Sequence, residues 1–188
     1  MAYRRGFKTE ANSIADDIRR ELNLTMLDPL DPRALAEHLS IPIIDLSELA
    51  NDHLSIVHLL KVEKGVFSAV TVFAGSMRTI VHNDGHAAER QNSNLAHELA
   101  HGLLLHPSTA ALDDLGCREW NQDYEDEADW LGGILLVPEA ATIEIARGRW
   151  SKFEAAKHFG VSVKMIQFRL NATGAVKRVE RERRFYQS

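Results

Sequence analysis

Apolar residues near the start of the chain recur every three or four positions, which is the spacing of one face of an α-helix. A second helix is predicted to begin at Asp31-Pro32, with the aspartate as N-cap and the proline in the first turn. It should end near Ile41-Pro42, because a residue that precedes proline disfavours helical backbone. The apolar stripe of the first helix comprises Phe7, Ala11, Ile14, Ala15, Ile18 and Leu22.

The middle of the chain contains short segments that end at turn signals and are rich in β-branched and aromatic residues, a pattern typical of strands. Residues 55–63 end at Lys64-Gly65, residues 66–74 end at Gly75, and residues 77–82 end at Asn83-Asp84-Gly85. These segments predict a small three-stranded sheet, and their pattern does not determine the order in which the strands pair.

The hydrophobic pattern becomes helical again from Ser93 and predicts two longer helices joined by a loop. The first ends at Pro107, the loop covers residues 107–122, and the second helix covers residues 123–137 and stops at Pro138. The apolar stripe of the first of these helices comprises Leu95, Ala96, Leu99, Ala100, Leu103 and Leu104.

Three shorter helices are predicted to follow, each marked by its first residues. Pro138 opens the first, and Ser151 and Glu154 form a capping box at the start of the second. Ser162, after Gly160, caps the third. Helices arranged around a small sheet make the predicted fold class α+β.

The composition is that of an ordinary globular domain, with 188 residues of which 45% are hydrophobic and 26% charged. A chain of this length buries a core without a structural metal, so a metal site is expected to serve function. Cys117 is the only cysteine, which excludes an internal disulfide, favours a reducing compartment and is interpreted as a bystander thiol. No signal peptide and no apolar run of the roughly 20 residues that span a bilayer are found. We therefore expect a soluble, cytoplasmic protein.

Two histidines and a glutamate form the most informative motif of the sequence. His97 and His101 are four residues apart, so on a helix both imidazoles project from one face, about one turn apart. One tetrahedral ion can accept a nitrogen from each at roughly 2.0–2.1 Å. Glu98 lies beside this pair and is predicted to act as general base, because zinc lowers the pKa of its bound water to about 7 and a carboxylate completes the deprotonation.

A catalytic zinc ion needs a third protein ligand and an open fourth position. The acidic start of the next helix supplies candidates, and Glu125 and Asp129 share one face of it. Glu125 is the favoured ligand, with Asp129 as an acceptor for the free ring nitrogen of a ligating histidine. Glu127 is the competing ligand, and a solvated acidic first turn is the alternative explanation of the cluster.

These residues resemble the zinc-binding motifs of the ImmA/IrrE family of metallopeptidases. His97 to His101, followed by Leu103-Leu104-Leu105-His106, is similar to the zinc helix of that family, and the run from Glu125 to Pro138 is similar to its second motif. The likeness covers roughly residues 7–172 and departs from the family at Ser93-Asn94-Leu95, where an aromatic–Thr–Leu sequence is frequent. Further matching positions are Asn83, Arg90-Gln91, residues 155–162 and Arg169-Leu170.

The resemblance implies one Zn²⁺ per chain with His97, His101 and Glu125 as its ligands, and Glu98 as the general base. It implies a zincin-like fold and a protein substrate, typically a helix-turn-helix repressor that is cut in response to stress or mobile elements. The same ligand types also suit other divalent ions.

The chain is divided by these predictions into three parts. Residues 1–140 form the zincin-like metallopeptidase domain, residues 141–175 a C-terminal helical subdomain packed on it, and residues 176–188 a charged tail typical of a frayed helix or of disorder. The sequence does not determine the oligomeric state.

The C-terminal part supports a competing hypothesis, that of a DNA-binding or protein-binding regulator that does not cleave. Residues 155–170 resemble a helix-turn-helix, with Lys164, Gln167 and Arg169 on or near its second helix. Residues 1–144 carry 11 Lys and Arg against 24 Asp and Glu, a net charge of −13, whereas residues 145–188 carry 11 against 3, a net charge of +8. The basic surface equally suits an acidic region of a protein substrate, and the family resemblance favours a packing role for this segment.

Peptide hydrolysis also needs a donor for the developing oxyanion. Tyr124, Tyr186 and His106 are candidates among which the sequence does not choose. The remaining histidines are interpreted as ordinary; they include His53, His58, His82 and His86.

Overall fold

The computed structural model describes residues 3–50, 54–61, 65–75, 77–107 and 121–186. Cys117, His53 and most of the predicted loop over 107–122 lie outside these residues. The elements of the first half are α1 (Phe7–Glu21), α2 (Pro32–His38), β1 (Ile43–Asp45), a 3₁₀ turn (Leu46–Leu49), α3 (Leu54–Lys61), β2 (Ala69–Ala74), β3 (Met77–His82) and α4 (Ala88–Leu103). Those of the second half are α5 (Gln122–Leu136), α6 (Glu139–Arg147), α7 (Lys152–Phe159), α8 (Val163–Thr173) and α9 (Ala175–Phe185).

The sheet is mixed and has the order β1-β3-β2, so the described part of the chain has the predicted α+β class, with helices around three strands. β1 runs parallel to β3, with Ile43 opposite Ile80. β2 runs antiparallel to β3 and pairs with it along its whole length, from Ala69 opposite His82 to Ala74 opposite Met77. β2 is therefore an edge strand, and the helix that follows β3 packs against both strands of the hairpin.

One predicted strand is wrong. Residues 54–61, which overlap the segment predicted as the first strand, form helix α3, and the third strand of the sheet is instead β1, directly after Ile41-Pro42. The β-branched Ile56 and Val57 favoured a strand, but a short apolar run does not distinguish a strand from a helix by its periodicity. β1 has only three residues, too few to produce an alternating pattern.

The predicted helices are present, with small shifts at their ends. Asp31 caps α2, its side chain accepting a hydrogen bond of 2.9 Å from the backbone N–H of Arg33. Ser151 and Glu154 form the predicted capping box of α7, and the Ser162 side chain caps α8. α4 begins at Ala88, ahead of the start at Ser93 that the apolar stripe predicts, because its first turn is exposed and carries no apolar periodicity.

Two buried clusters meet at α5. The first joins α1, α2, α4 and the sheet to the middle of α5, and the second joins the end of α5 to α6, α7, α8 and α9. The charged tail is helical as far as Phe185, and it is tied down by buried Val179 and by an ion pair of 3.0 Å between Arg147 and Glu182. The division of the chain at residue 140 stays a prediction. Within the described residues no helix combines the length and the apolar character that crossing a bilayer requires.

Candidate metal centre

Helix α4 brings the two histidines of the motif together. His97 and His101 lie one turn apart, and their Nε2 atoms are 3.1 Å from each other. Both side chains are mostly buried, with 23% and 17% of their surface exposed. The helical spacing therefore places two imidazole nitrogens side by side, as the sequence predicts.

Helix α5 adds a carboxylate to this pair. Oε2 of Glu125 lies 3.1 Å from Nε2 of His97 and 3.7 Å from Nε2 of His101. Bonds of 2.0–2.1 Å at tetrahedral angles separate two ligand atoms of a zinc ion by about 3.3 Å. The three donor atoms thus have the spacing that a single tetrahedral ion requires, and these residues could bind a metal.

The two helices are able to approach this closely because of a glycine on α5. A Cβ atom at Gly132 would lie 3.2 Å from the backbone carbonyl of Ala96 and 3.3 Å from the backbone nitrogen of His97. Such distances are shorter than real Cβ contacts usually are, so any larger residue would push α5 away from α4. Gly132 thereby fixes the distance between the histidines and Glu125.

Glu127, the competing third ligand, lies elsewhere. Its Oε2 is 3.3 Å from Nε2 of His106, and its Oε1 forms an ion pair of 3.1 Å with Nε of Arg4. A helical separation of two residues turns it away from Glu125. Of the two glutamates, Glu125 is therefore the one that faces the histidine pair.

Each histidine has a partner at its other ring nitrogen. Nδ1 of His97 lies 2.8 Å from Oδ1 of Asp129, the contact that the spacing of Glu125 and Asp129 predicts. Nδ1 of His101 lies 2.9 Å from Nδ1 of His106. With Nδ1 engaged in this way, Nε2 is the atom each histidine can offer to a metal.

The electrostatics of the site favour positive charge between the carboxylates. Burial lowers the pKa of His97, but hydrogen bonds to Asp129 and Glu125 outweigh it and raise the pKa to about 10. Burial raises the pKa of Glu125, but hydrogen bonds with His101 and His97 outweigh it, and the pKa falls well below its usual range. The site is therefore suited to a cation and, without one, holds a proton on His97.

Glu98 follows His97 directly on α4 and is 8% exposed. Its Oε2 accepts a hydrogen bond of 2.6 Å from Oγ1 of Thr71 on the edge strand β2. Glu98, His97 and Glu125 all line one cavity of about 490 Å³. The remaining walls of the cavity come from the start of β2 and from helices α4, α5 and α8. The residues are Val66, Ser68 and Ala69 at β2, Ser93 and Asn94 on α4, Asp129, Gly132 and Gly133 on α5, and Met165 on α8.

The candidate oxyanion donors differ in their surroundings. Both ring nitrogens of His106 are engaged, with His101 and with Glu127, so it has no free N–H to offer. The ring of Tyr124 stacks on His106 at 4.6 Å between centroids. Tyr186 is 86% exposed on the last turn of the chain that the structure describes. Of the three, His106 is therefore placed for a different role.

His82, His86 and the predicted DNA-contacting residues lie outside this site. His82 is fully buried beside Asp45, and His86 lies 3.3 Å from Asn94. In the C-terminal segment Arg169 is 1% exposed and donates to the carbonyl of Val137, whereas Gln167 accepts from Lys152. Of the three residues predicted to contact DNA, Lys164 is the one that is exposed and makes no side-chain hydrogen bond within the described part of the chain.

Sequence reasoning missed two contacts of the site. Thr71 meets Glu98 across 27 positions of sequence, and no pattern in β2 distinguishes this threonine from its neighbours. The contact between His101 and His106 depends on how the chain turns after α4. The proximity of His106 to the motif was the only available signal for it.

Two histidines one turn apart and a glutamate from the next helix, on an α+β frame, form a zincin-like arrangement that could bind a metal. The sequence model of the family Peptidase_M78, described as the IrrE N-terminal-like domain, matches residues 67–171, more than half of the chain. The chain therefore belongs to this family of peptidases, and the resemblance to the ImmA/IrrE family is confirmed. The match extends from β2 to α8 and includes every candidate ligand. Among curated proteins none matches the chain significantly.

Proposed function

We propose that this protein is a zinc-dependent endopeptidase in which His97, His101 and Glu125 hold one Zn²⁺ and Glu98 is the general base. The observation that carries the proposal is the spacing of three donor atoms, 3.1, 3.1 and 3.7 Å apart. A bound zinc ion supplies Lewis acidity toward the scissile carbonyl and lowers the pKa of water to about 7.

The residues of the chain then have separate tasks. The Glu98 carboxylate takes a proton from the attacking water and returns it to the leaving amine, which balances the hydrolysis. Thr71 holds that carboxylate in place through its hydroxyl. Asp129 and His106 keep the Nε2 atoms of the two ligating histidines directed at the ion.

The proposed substrate is a regulatory protein, and the favoured candidate is a repressor of the helix-turn-helix type. Membership of a peptidase family supports a protein substrate, and the resemblance to the ImmA/IrrE family supports the repressor. The single cysteine in the sequence supports a reducing compartment such as the cytoplasm as the place of action. A repressor encoded next to this protein would be the first one to test.

The test separates zinc binding from catalysis. Glu98→Gln is expected to retain about one zinc per chain and to lower the rate of repressor cleavage by at least roughly 100-fold, because a general base contributes that much or more. His97→Ala is expected to lose the zinc and the activity together. Glu89→Gln, an exposed glutamate of the same helix, is the control and should cleave at the wild-type rate.

Two results would contradict the proposal. If Glu98→Gln still cleaves, the general base is wrong. If purified wild-type protein binds no zinc and cleaves no repressor, while duplex DNA binds to it in a salt-dependent way, the non-cleaving regulator is the better description.

A further inference from the structure

Helix α4 ends in a way that brings His106 back to His101. The backbone N–H of His106 donates to the carbonyl of His101 at 3.1 Å, and that of Leu105 donates to the carbonyl of Gly102 at 3.1 Å. These two bonds define a Schellman motif, in which the second residue after the cap contacts the third residue before it. That contact is usually apolar, and here it joins two histidines.

The turn requires an unfavourable backbone conformation. Leu105 has φ +54°, in the left-handed region where this motif usually has glycine, and its side chain is 80% exposed. A leucine in this position gains nothing from burial that would offset the conformational cost. The next residue, His106, is buried and makes several contacts, and these help to offset the cost of the turn.

His106 is in turn held by buried and charged partners. Its Nδ1 lies 2.9 Å from Nδ1 of His101, and its Nε2 lies 3.3 Å from Oε2 of Glu127. Oε1 of Glu127 pairs with Nε of Arg4 at 3.1 Å. His106 and Glu127 are 7% and 6% exposed, and the Tyr124 ring covers one face of the imidazole.

Metal binding by His101 would determine which atom donates in each of these hydrogen bonds. When Nε2 of His101 binds an ion, its ring proton is on Nδ1 and is donated to Nδ1 of His106. The proton of His106 is then on Nε2 and is donated to Glu127. Each donor meets an acceptor, and the buried carboxylate is compensated by Arg4.

We propose that His106 is a positioning residue for the metal ligand His101, acting as the first member of a relay that continues to Glu127 and Arg4. The relay fixes the ring orientation of His101 and increases its electron donation to the ion, as partners of ligating histidines do. His106 differs in burial from Asp129, the partner of the other ligand His97, because the Asp129 side chain is 66% exposed. The proposal rests on the proposed zinc site.

The experiment measures zinc affinity rather than activity. His106→Phe keeps an aromatic ring against Tyr124 and removes the acceptor, and it is expected to weaken zinc binding by roughly 10- to 100-fold in a chelator competition. His106→Asn places an amide oxygen near the position of Nδ1 but does not reach Glu127, so it should recover part of the affinity, to a value between those of His106→Phe and wild type. Affinities for Co²⁺ should follow the same order among these proteins. The visible spectrum of the Co²⁺-loaded protein should be shifted from that of wild type in His106→Phe.

A matched control and a double variant separate positioning from general destabilisation. His82→Phe also replaces a buried histidine and should lower thermal stability while leaving zinc affinity unchanged. Glu127→Gln should weaken zinc binding, and adding it to His106→Phe should cause little further loss, because the relay is already broken.

Each outcome decides the question. If wild-type protein binds no zinc, the proposed function and this proposal fail together. If wild type binds zinc and His106→Phe binds it equally well, this proposal alone is overturned. Loss of affinity in His82→Phe equal to that in His106→Phe, without recovery in His106→Asn, would also overturn it, since destabilisation would then explain the effect.

Discussion

The hydroxyl of Thr71 donates a hydrogen bond of 2.6 Å to Oε2 of Glu98 and so connects the edge strand of the sheet to the proposed general base. Thr71→Val keeps the shape of the side chain and removes the hydroxyl donor, so the Glu98 carboxylate is no longer held in its position. Because small displacements of a reacting group cost up to about 100-fold in rate, we expect kcat to fall roughly 10-fold or more, with zinc content unchanged. Thr71→Ser keeps the hydroxyl and should retain most of the activity. Equal rates for the two variants would show that the hydrogen bond has no part in catalysis.

Zinc binding is expected to release a proton from His97. The pKa of this residue, raised to about 10 by Asp129 and Glu125, means that the metal-free protein holds it protonated near neutral pH. A ligating imidazole must be neutral, so zinc affinity should increase with pH by up to about tenfold per unit below that pKa. Titration calorimetry in buffers of different ionisation enthalpy measures the number of protons released.

Asp129→Asn is the control for this proton release. The amide removes the charged partner of His97 Nδ1, so the pKa of His97 should fall and fewer protons should be released near neutral pH. The same release from both proteins would indicate that the proton comes from another group.

Gly132 is expected to be the glycine on which the geometry of the site depends. Its Cβ would meet the backbone of Ala96 and His97, which cannot move without moving a ligand. Gly132→Ala should therefore destabilise the fold by about 1–3 kcal/mol and weaken zinc binding. At Gly133 a Cβ would meet only side-chain atoms, Cδ of Arg169 at 3.2 Å and Sδ of Met165 at 3.7 Å, so neither helix backbone has to move.

Gly133→Ala is for that reason the matched control, and we expect its stability to remain within about 1 kcal/mol of wild type, helped by the higher helix propensity of alanine. Urea unfolding and chelator competition on both variants provide the comparison. If Gly133→Ala is the more damaging of the two, close packing of α4 on α5 does not determine the site.

The periodicity of α4 and α5 made the geometry of the candidate metal site predictable, because a helix places residues i and i+4 on one face whatever surrounds it. The direction of Glu125 and the contact of Asp129 with His97 follow from the same rule. The sequence pattern predicted a strand where α3 lies and did not predict β1. Both segments are short, and their secondary structure is determined by the elements they pack against rather than by local periodicity. The relay of His106 and the bond of Thr71 to Glu98 depend on a turn and on a contact between distant segments, for which the local pattern has no signal.

Stability should decrease on acidification through His82, which is fully buried next to Asp45. Burial lowers the pKa of His82 in the folded protein, although Asp45 opposes the effect. The unfolded chain takes up this proton near a pH of about 6.5 and the folded protein takes it up only at lower pH, so the unfolded state binds more protons in between. The contribution of His82 is therefore complete above a pH of about 6.5 and is lost as the pH falls below that value, with a slope of at most about 1.4 kcal/mol per pH unit.

Urea unfolding of wild type, His82→Gln and His82→Phe between about pH 7.5 and about pH 5, with a chelator present throughout, tests this expectation. Both variants should lose less stability on acidification than wild type, because neither titrates at this position. Their absolute stabilities should differ, since glutamine and phenylalanine fill the buried space differently, and this difference separates packing from protonation. A wild-type slope that matches both variants would mean that His82 takes up its proton equally well in the folded and the unfolded chain.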